Sequence, residues 1–245
     1  ANNSEIILFD VDSDKKVFIP HSDIGNTWIN PDGFNDSGWQ TVTGLPGGIG
    51  YEKNSGYESL ISFDVGNEMH QDGGNPNTSC YIRIPFQIQQ QDLDKISSLK
   101  MEIQFDDGFV AYINSTKVAE SNAPATIQWN SAAPAGHEAG IEEIFNISQY
   151  IADLAEGDNL LAIQGLNKNT TSSDFLIFSR LVASEQDEIY QNLSESAIEY
   201  TAPFNINNTV TLNTRTYYQN QWSPLVEKIL AFDNGNFFPV IISEL

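Results

Sequence analysis

Basic residues are scarce in this chain of 245 residues. Eleven Lys and Arg face 33 Asp and Glu, for a formal charge of −22 and a pI near 4.1. Phosphate backbones and anionic lipid surfaces are repelled by such a surface, so neither nucleic acid nor a membrane is expected as a partner. The acidic surplus serves solubility, salt tolerance or the capture of divalent cations. Cysteine is reduced to Cys80, which rules out an intrachain disulfide and a disulfide-stapled miniprotein, though not a secreted bacterial protein. No apolar run approaches the roughly 18 residues needed to span a bilayer. The opening ANNSEIILFD has no basic and no long apolar region, and is expected to be a mature or trimmed terminus. His21, His70 and His137 lie in separate segments without the spacing of a zinc site. Neither a Gly-x-Ser-x-Gly elbow nor a phosphate loop occurs, and Cys80 has no His nearby in sequence. Catalysis is therefore not expected.

Apolar residues make up 40% of the chain, with Phe 14, Tyr 9 and Trp 4. That suffices for a packed core, and the length suggests one large β domain or one domain plus a small appendage. Strand signals dominate: EIILFDV, KVFIP, CYIRIPFQI, SLKMEIQF, GFVAYIN, KVAES, NLLAIQGLN and DFLIFSRLVA are short runs of β-branched and aromatic residues. In the third, Ile82, Ile84 and Phe86 share one face while Tyr81 and Arg83 share the other. Pro85 lacks an N–H, which predicts a sheet edge or a bulge there. Long loops are expected over 21–58, 66–79 and 120–140, wrapping the surface or carrying function. One helix is expected from Ser148, as cap, through Leu154, with Gly157 as the left-handed residue beyond it. Many paired strands and one short helix predict an antiparallel β-sandwich.

Beyond Ala183 the stretch SEQDEIYQNLSESAIEY is polar and acidic, and reads as a linker or loosely held edge. TVTLNTRTYY then alternates as a half-buried strand, and QWSPLVEKILAF follows with Trp222 as an apolar anchor. The expected organisation is a sandwich over 1–185 and a small β module over 186–238. The final run, within 239–245, is read as the first strand of a following domain.

Taken in order, several segments resemble a known family. They are Asn35-Asp36-Ser37-Gly38-Trp39, Gly47 to Glu52, Tyr81 to Phe86, Asp106 to Asn114 and Gly157 to Ile163, with Asn167 and Ser172-Ser173-Asp174-Phe175 closing the series. Over roughly 17–183 the chain resembles the galactose-binding-like jelly-roll domain of large secreted bacterial proteins. Some of these also carry lamin-tail or spore-coat-protein-H-type kinase domains. Residues 199–232, with Tyr200, Pro203, Thr214 to Tyr217 and Trp222-Ser223, resemble the closing half of a chitobiase C-terminal module, and Val240 to Glu244 resemble the start of a lamin-tail domain. One departure is Asn114-Ser115 where the family carries Asn-Gly at a hairpin; both central residues of such a turn want positive φ. The resemblance implies a secreted or cell-surface accessory domain, adhesive or glycan-binding and non-catalytic, with further domains of the same polypeptide as neighbours.

The vicinal pair Asp106-Asp107 has two readings. Its carboxylates, with Asp174, supply oxygens for a structural Ca²⁺; a similar Asp-Asp-Gly occurs in protective-antigen-type adhesin domains, where it helps hold calcium. Alternatively one Asp accepts backbone N–H bonds at the strand entry and Gly108 supplies an unusual φ. Asp10, Asp12 and Asp14 in FDVDSDKK compete for a calcium near the chain start, without the Gly and distal Glu of an EF-hand loop. For a sugar, Trp129 is the expected stacking platform, with Arg83, Asp107, Tyr57 and Asn167 as polar or aromatic neighbours. Trp28 and Trp39 are expected in the core, Arg83 is open to pairing with a carboxylate, and Tyr51 stays open either way. The expected function is a carbohydrate-binding or adhesion accessory, calcium-dependent if the carboxylates hold the ion. A structural or protein-interaction spacer is the alternative, and a glycoside hydrolase with two facing carboxylates a distant third.

Overall fold

A computed structural model describes residues 5–185 and, further on, 209–214, 217–218, 221–222 and 226–230. The chain divides into two compact units, Ser4–Gln186 and Asp187–Leu245 with Ala1–Asn3. The first unit is an all-β sandwich. Its strands are β1 Glu5–Phe9, β2 Lys15–Phe18, β3 Gln40–Val42, β4 Gly48–Glu52, β5 Ile61–Asp64 and β6 Ser79–Ile88, followed by β7 Ile96–Asp106, β8 Gly108–Ile113, β9 Thr116–Ser121, β10 Glu143–Asn146, β11 Gly157–Leu166 and β12 Asp174–Glu185. One sheet runs β10-β7-β12-β4-β5, with β1 also on β12; the other runs β3-β2-β6-β11-β8-β9. β4 and β1 share one side of β12, taking Asp174–Ile177 and Leu181–Ser184 respectively. All pairings in this unit are antiparallel except β4 with β5.

Period-two alternation builds the core. Ile82, Ile84, Phe86 and Ile88 of β6 meet Met101, Ile103 and Phe105 of β7 and Phe175 and Ile177 of β12 between the sheets. Tyr81 and Arg83, on the other face of β6, are also buried, because the 19–39 segment folds back over that face. Trp28 stacks on Tyr81 at 4.1 Å, Phe18 stacks on Trp39 at 5.2 Å, and Trp28 and Trp39 are both buried. Pro85 lies in a central strand rather than at an edge, yet β2 pairs with β6 only over Tyr81–Arg83. One side of Pro85 is therefore without a ladder, and the missing N–H is tolerated.

The expected helix near 148 is a 3-10 helix, Ser148–Asp153. Ser148 does not cap it. Its hydroxyl instead accepts from the Leu99 amide at 3.0 Å and bonds Asn146 at 2.7 Å, spending the cap on β7. Gly157 does take φ +83°, at the start of β11. The two-residue β8–β9 hairpin has Asn114 at φ +46° and Ser115 at φ +79°, both positive as the turn requires.

In the second unit, β13 Val210–Thr214 pairs with β16 Val226–Leu230, and β14 Tyr217–Tyr218 with β15 Gln221–Trp222, all antiparallel. The expected linker after Glu185 and the expected opening strand within 239–245 lie outside the described residues, as do Tyr200, Pro203, Arg215, Thr216 and Ser223. Among the described residues no helix is long and apolar enough to cross a membrane.

Candidate functional site

At one end of the sandwich β7 hands the chain from the first sheet to β8 in the second, and Asp106-Asp107 is the point of crossing. The peptide joining them is cis. The two carboxylates then part. Asp107 is buried, and its oxygens accept from the backbone amides of His137 at 2.9 Å and Lys168 at 2.7 Å. It clamps the 122–142 and 167–173 loops, so the bracing role expected of one aspartate is its own. Each oxygen thus already accepts one amide, and Asp107 stands apart from the carboxylates that gather at Asp106. Gly108 does not adopt positive φ. A Cβ there would lie 2.6 Å from the Asn122 carbonyl oxygen, so space rather than dihedral freedom demands glycine.

Asp106 turns the other way and is 1% exposed. Its Oδ2 lies 3.2 Å from the Tyr57 hydroxyl, while Oδ1 is buried and has no hydrogen-bond partner among the described residues. The same hydroxyl is 3.2 Å from Glu138 Oε2 and accepts from the Ala139 amide at 2.9 Å. Its single proton therefore serves one carboxylate at a time. Asp174, at the start of β12, completes the group: one oxygen each of Asp106, Glu138 and Asp174 lie within 4.8 Å of one another. Two full charges at 4.8 Å repel by about 3 kcal/mol at an effective dielectric of 20. Burial, reinforced by the charges of Asp107 and Asp174 and opposed by the Tyr57 hydrogen bond, pushes the Asp106 carboxyl up to about 8. A proton or a cation relieves such a cluster. The donor set is all oxygen, from carboxylates and a phenol, and is positioned to hold a hard divalent ion. Glu138 was not among the expected ligands. It lies in the middle of a long loop, and no spacing in sequence ties it to Asp106.

The competing acidic run near the chain start has a different occupant. Lys15 Nζ donates to the Val11 and Gly47 carbonyls, both at 2.7 Å, so an ammonium stands among Asp10, Asp12 and Asp14. Burial lowers Lys15 to about 8, opposed by the attraction of Asp12, Asp10 and Asp14.

The residues expected to face a sugar do not converge. Arg83 is buried on the outer side of β6, where Nε meets Asp36 at 2.7 Å, Nη1 donates to the Trp28 and Asn30 carbonyls, and the guanidinium lies over Phe34. It is a packing cation, because the 19–39 segment covers it. Tyr57 is buried with its hydroxyl in the acidic cluster. Asn167 is fully buried, donating to the Tyr51 hydroxyl at 2.8 Å and the Asp174 carbonyl at 3.2 Å. Tyr51 itself is 1% exposed.

Trp129 is different. Half-buried, it lines an open cleft of about 230 Å³ together with His21, Asn75, Asn77, Thr78 and Thr170. The wall is fixed from beneath: Asn77 donates to the Pro20 carbonyl at 2.6 Å and the Trp129 carbonyl at 3.3 Å, and Gln164 holds the Gln128 carbonyl at 2.8 Å. No Asp, Glu, Lys or Arg lines this cleft.

No family model matches the chain, and no curated protein matches it. Among solved structures it is similar to a beta-glucuronidase of Bacteroides uniformis, at 14% identity and a TM-score of 0.46 over 74% of this chain and 18% of that one. It is similar also to a calcium binding mutant of Bacteroides uniformis beta-glucuronidase 2, at 14% identity and a TM-score of 0.41 over 71% and 18%. A third is a beta-glucuronidase of an uncultured Clostridium sp., at 9% identity and a TM-score of 0.42 over 94% and 34%. This chain thus spans between 18% and 34% of the length of these enzymes.

Proposed function

We propose that the chain is a non-catalytic accessory of galactose-binding-like jelly-roll type that recognises carbohydrate in the Trp129 cleft and holds a structural calcium ion. The observation that carries the sugar reading is the cleft itself, a hydrogen-bonding concavity without Asp, Glu, Lys or Arg, lined by the half-buried Trp129 in a strongly acidic chain. A pyranose presents an apolar face that stacks on such a ring while its hydroxyls meet amides and hydroxyls at the rim. Calcium is supported by the orphaned Asp106 Oδ1 and by the nearness of the Glu138 and Asp174 carboxylates to Asp106. Its ligands would be those three carboxylates, with the Tyr57 hydroxyl adjacent. The ion would offset most of the cluster's charge and fasten β7, β12 and the 122–142 loop to one another; it is assigned no chemistry. A secreted or surface location and neighbouring domains in the same polypeptide belong to this reading.

A glycan array probed with wild type and Trp129→Ala tests the sugar. Binding that disappears in the variant supports it, and an array blank with folded wild type removes it. Titration with CaCl₂ by calorimetry tests the ion, and no heat of binding with wild type would remove calcium. A spacer without sugar binding is the second reading, favoured by the burial of Trp28, Trp39, Tyr51 and Tyr57 and by the packing of the half-buried Trp129 against the cluster of Trp28, Trp39 and Tyr81.

A further inference from the structure

We infer that the Trp129 cleft selects a single uncharged sugar ring and rejects uronates and other acidic saccharides. This rests on the carbohydrate reading above and adds the ligand class. The first ground is charge. His21 is the one ionisable side chain in the lining, and its ring already meets Glu68 at 3.5 Å and Asn75 at 3.2 Å, whereas the chain as a whole carries −22, so an anionic ring must compete with Glu68 for that imidazole and meets a repulsive field. The one base expected to grip a carboxylate, Arg83, is buried and already held by Asp36 and two carbonyls. The second ground is the division of polar groups around the cleft. Asn77 and Thr78 spend theirs on the wall: Asn77 donates to the Pro20 and Trp129 carbonyls and accepts from the Thr78 amide, and the Thr78 hydroxyl lies on the Asn130 and Ser131 carbonyls. The rest of the polar lining is the Asn75 side chain, with one N–H on His21 Nδ1 at 3.2 Å, together with Asn130 and Thr170. Neutral donors and acceptors of this kind match hydroxyls and leave a carboxylate unpaired. The third ground is size. About 230 Å³ is below the roughly 300 Å³ at which drug-sized pockets begin, and seats one ring within the cleft.

The test uses the whole chain on an array of matched pairs: galactoside with galacturonide, glucoside with glucuronide, and N-acetylglucosaminide. Wild type is expected to bind a neutral member about tenfold or more tightly than its uronide, a difference of about 1.4 kcal/mol. Trp129→Ala should lose that binding and Trp129→Phe retain part of it, while Thr170→Val and Asn75→Ala, both at the rim, weaken it in a folded protein. Equal or tighter binding of uronides that still depends on Trp129 overturns the ligand class and leaves the cleft reading standing. Neutral sugar binding that survives Trp129→Ala overturns the cleft reading, and this inference with it.

Discussion

Replacing Asp106 with Asn removes the buried carboxyl from a group that also holds the half-buried Asp174 and the exposed Glu138, and leaves the Tyr57 hydroxyl an oxygen to bond. Under chelation the variant should melt higher than wild type, and it should lose any rise in melting temperature that calcium gives wild type. The pH dependence has a definite sign. The folded carboxyl of Asp106 sits near 8, above its ordinary value, so its contribution is fully present below pH 4 and lost as pH rises towards 8. Wild type in chelator should therefore lose stability across that window relative to Asp106→Asn, as read by urea denaturation at several pH values. Ser115 offers a separate test. An L-residue in the left-handed region costs roughly 1–2 kcal/mol, so Ser115→Gly at φ +79° should stabilise by about 1 kcal/mol after the loss of its exposed bond to Asn30. Which carboxylate takes which role was not legible in Asp106-Asp107 as written, because neighbours in sequence diverge when one faces two loop amides and the other the Tyr57 hydroxyl.

Strands were legible in proportion to their alternation. The eight apolar runs became β1, β2, β6, β7, β8, β9, β11 and β12. β3, β4 and β5 are missing from that reading, and so is β10 just past the 120–140 loop. The reason is clearest for β4, Gly48–Glu52. Its glycines resemble a loop, yet a Cβ on Gly50 would overlap the Phe175 carbonyl and one on Gly48 the Leu60 carbonyl. Close backbone approach, not strand propensity, chose them. Gly165 in β11 does the same between the sheets, where a Cβ would come within 2.6 Å of Phe175 Cζ and 2.8 Å of Ile177 Cγ1. Gly165→Ala should cost about 1–3 kcal/mol by overpacking. Pairing it with Phe175→Leu should recover part of that loss in a double-mutant cycle, since the ring tip is what the new methyl meets. Full additivity of the two losses would show that the glycine is not there for sheet approach.

For the molecule as a whole, salt and calcium act in the same direction. At −22, self-repulsion weakens the compact state and salt screens it over about 10 Å at 0.1 M, so the melting temperature should rise between 10 mM and 150 mM NaCl. Calcium at 100 times its dissociation constant should add about 2.7 kcal/mol on top, and chelation should remove it. A melting temperature indifferent to both additions would mean that the acids are too dispersed to matter.

The amino-acid sequence determined the all-β sandwich, because the side-chain period of two is local and survives in any window of a few residues. It also marked Trp129 as the loop ring to watch and the acidic end of β7 as unusual. Only the tertiary structure decided that Glu138 joins Asp106 and Asp174, that Asp107 is spent on amides, and that Arg83 turns inward under a covering segment. Such meetings depend on where long loops cross the end of the sandwich. That path is set by non-local packing, which no local pattern encodes.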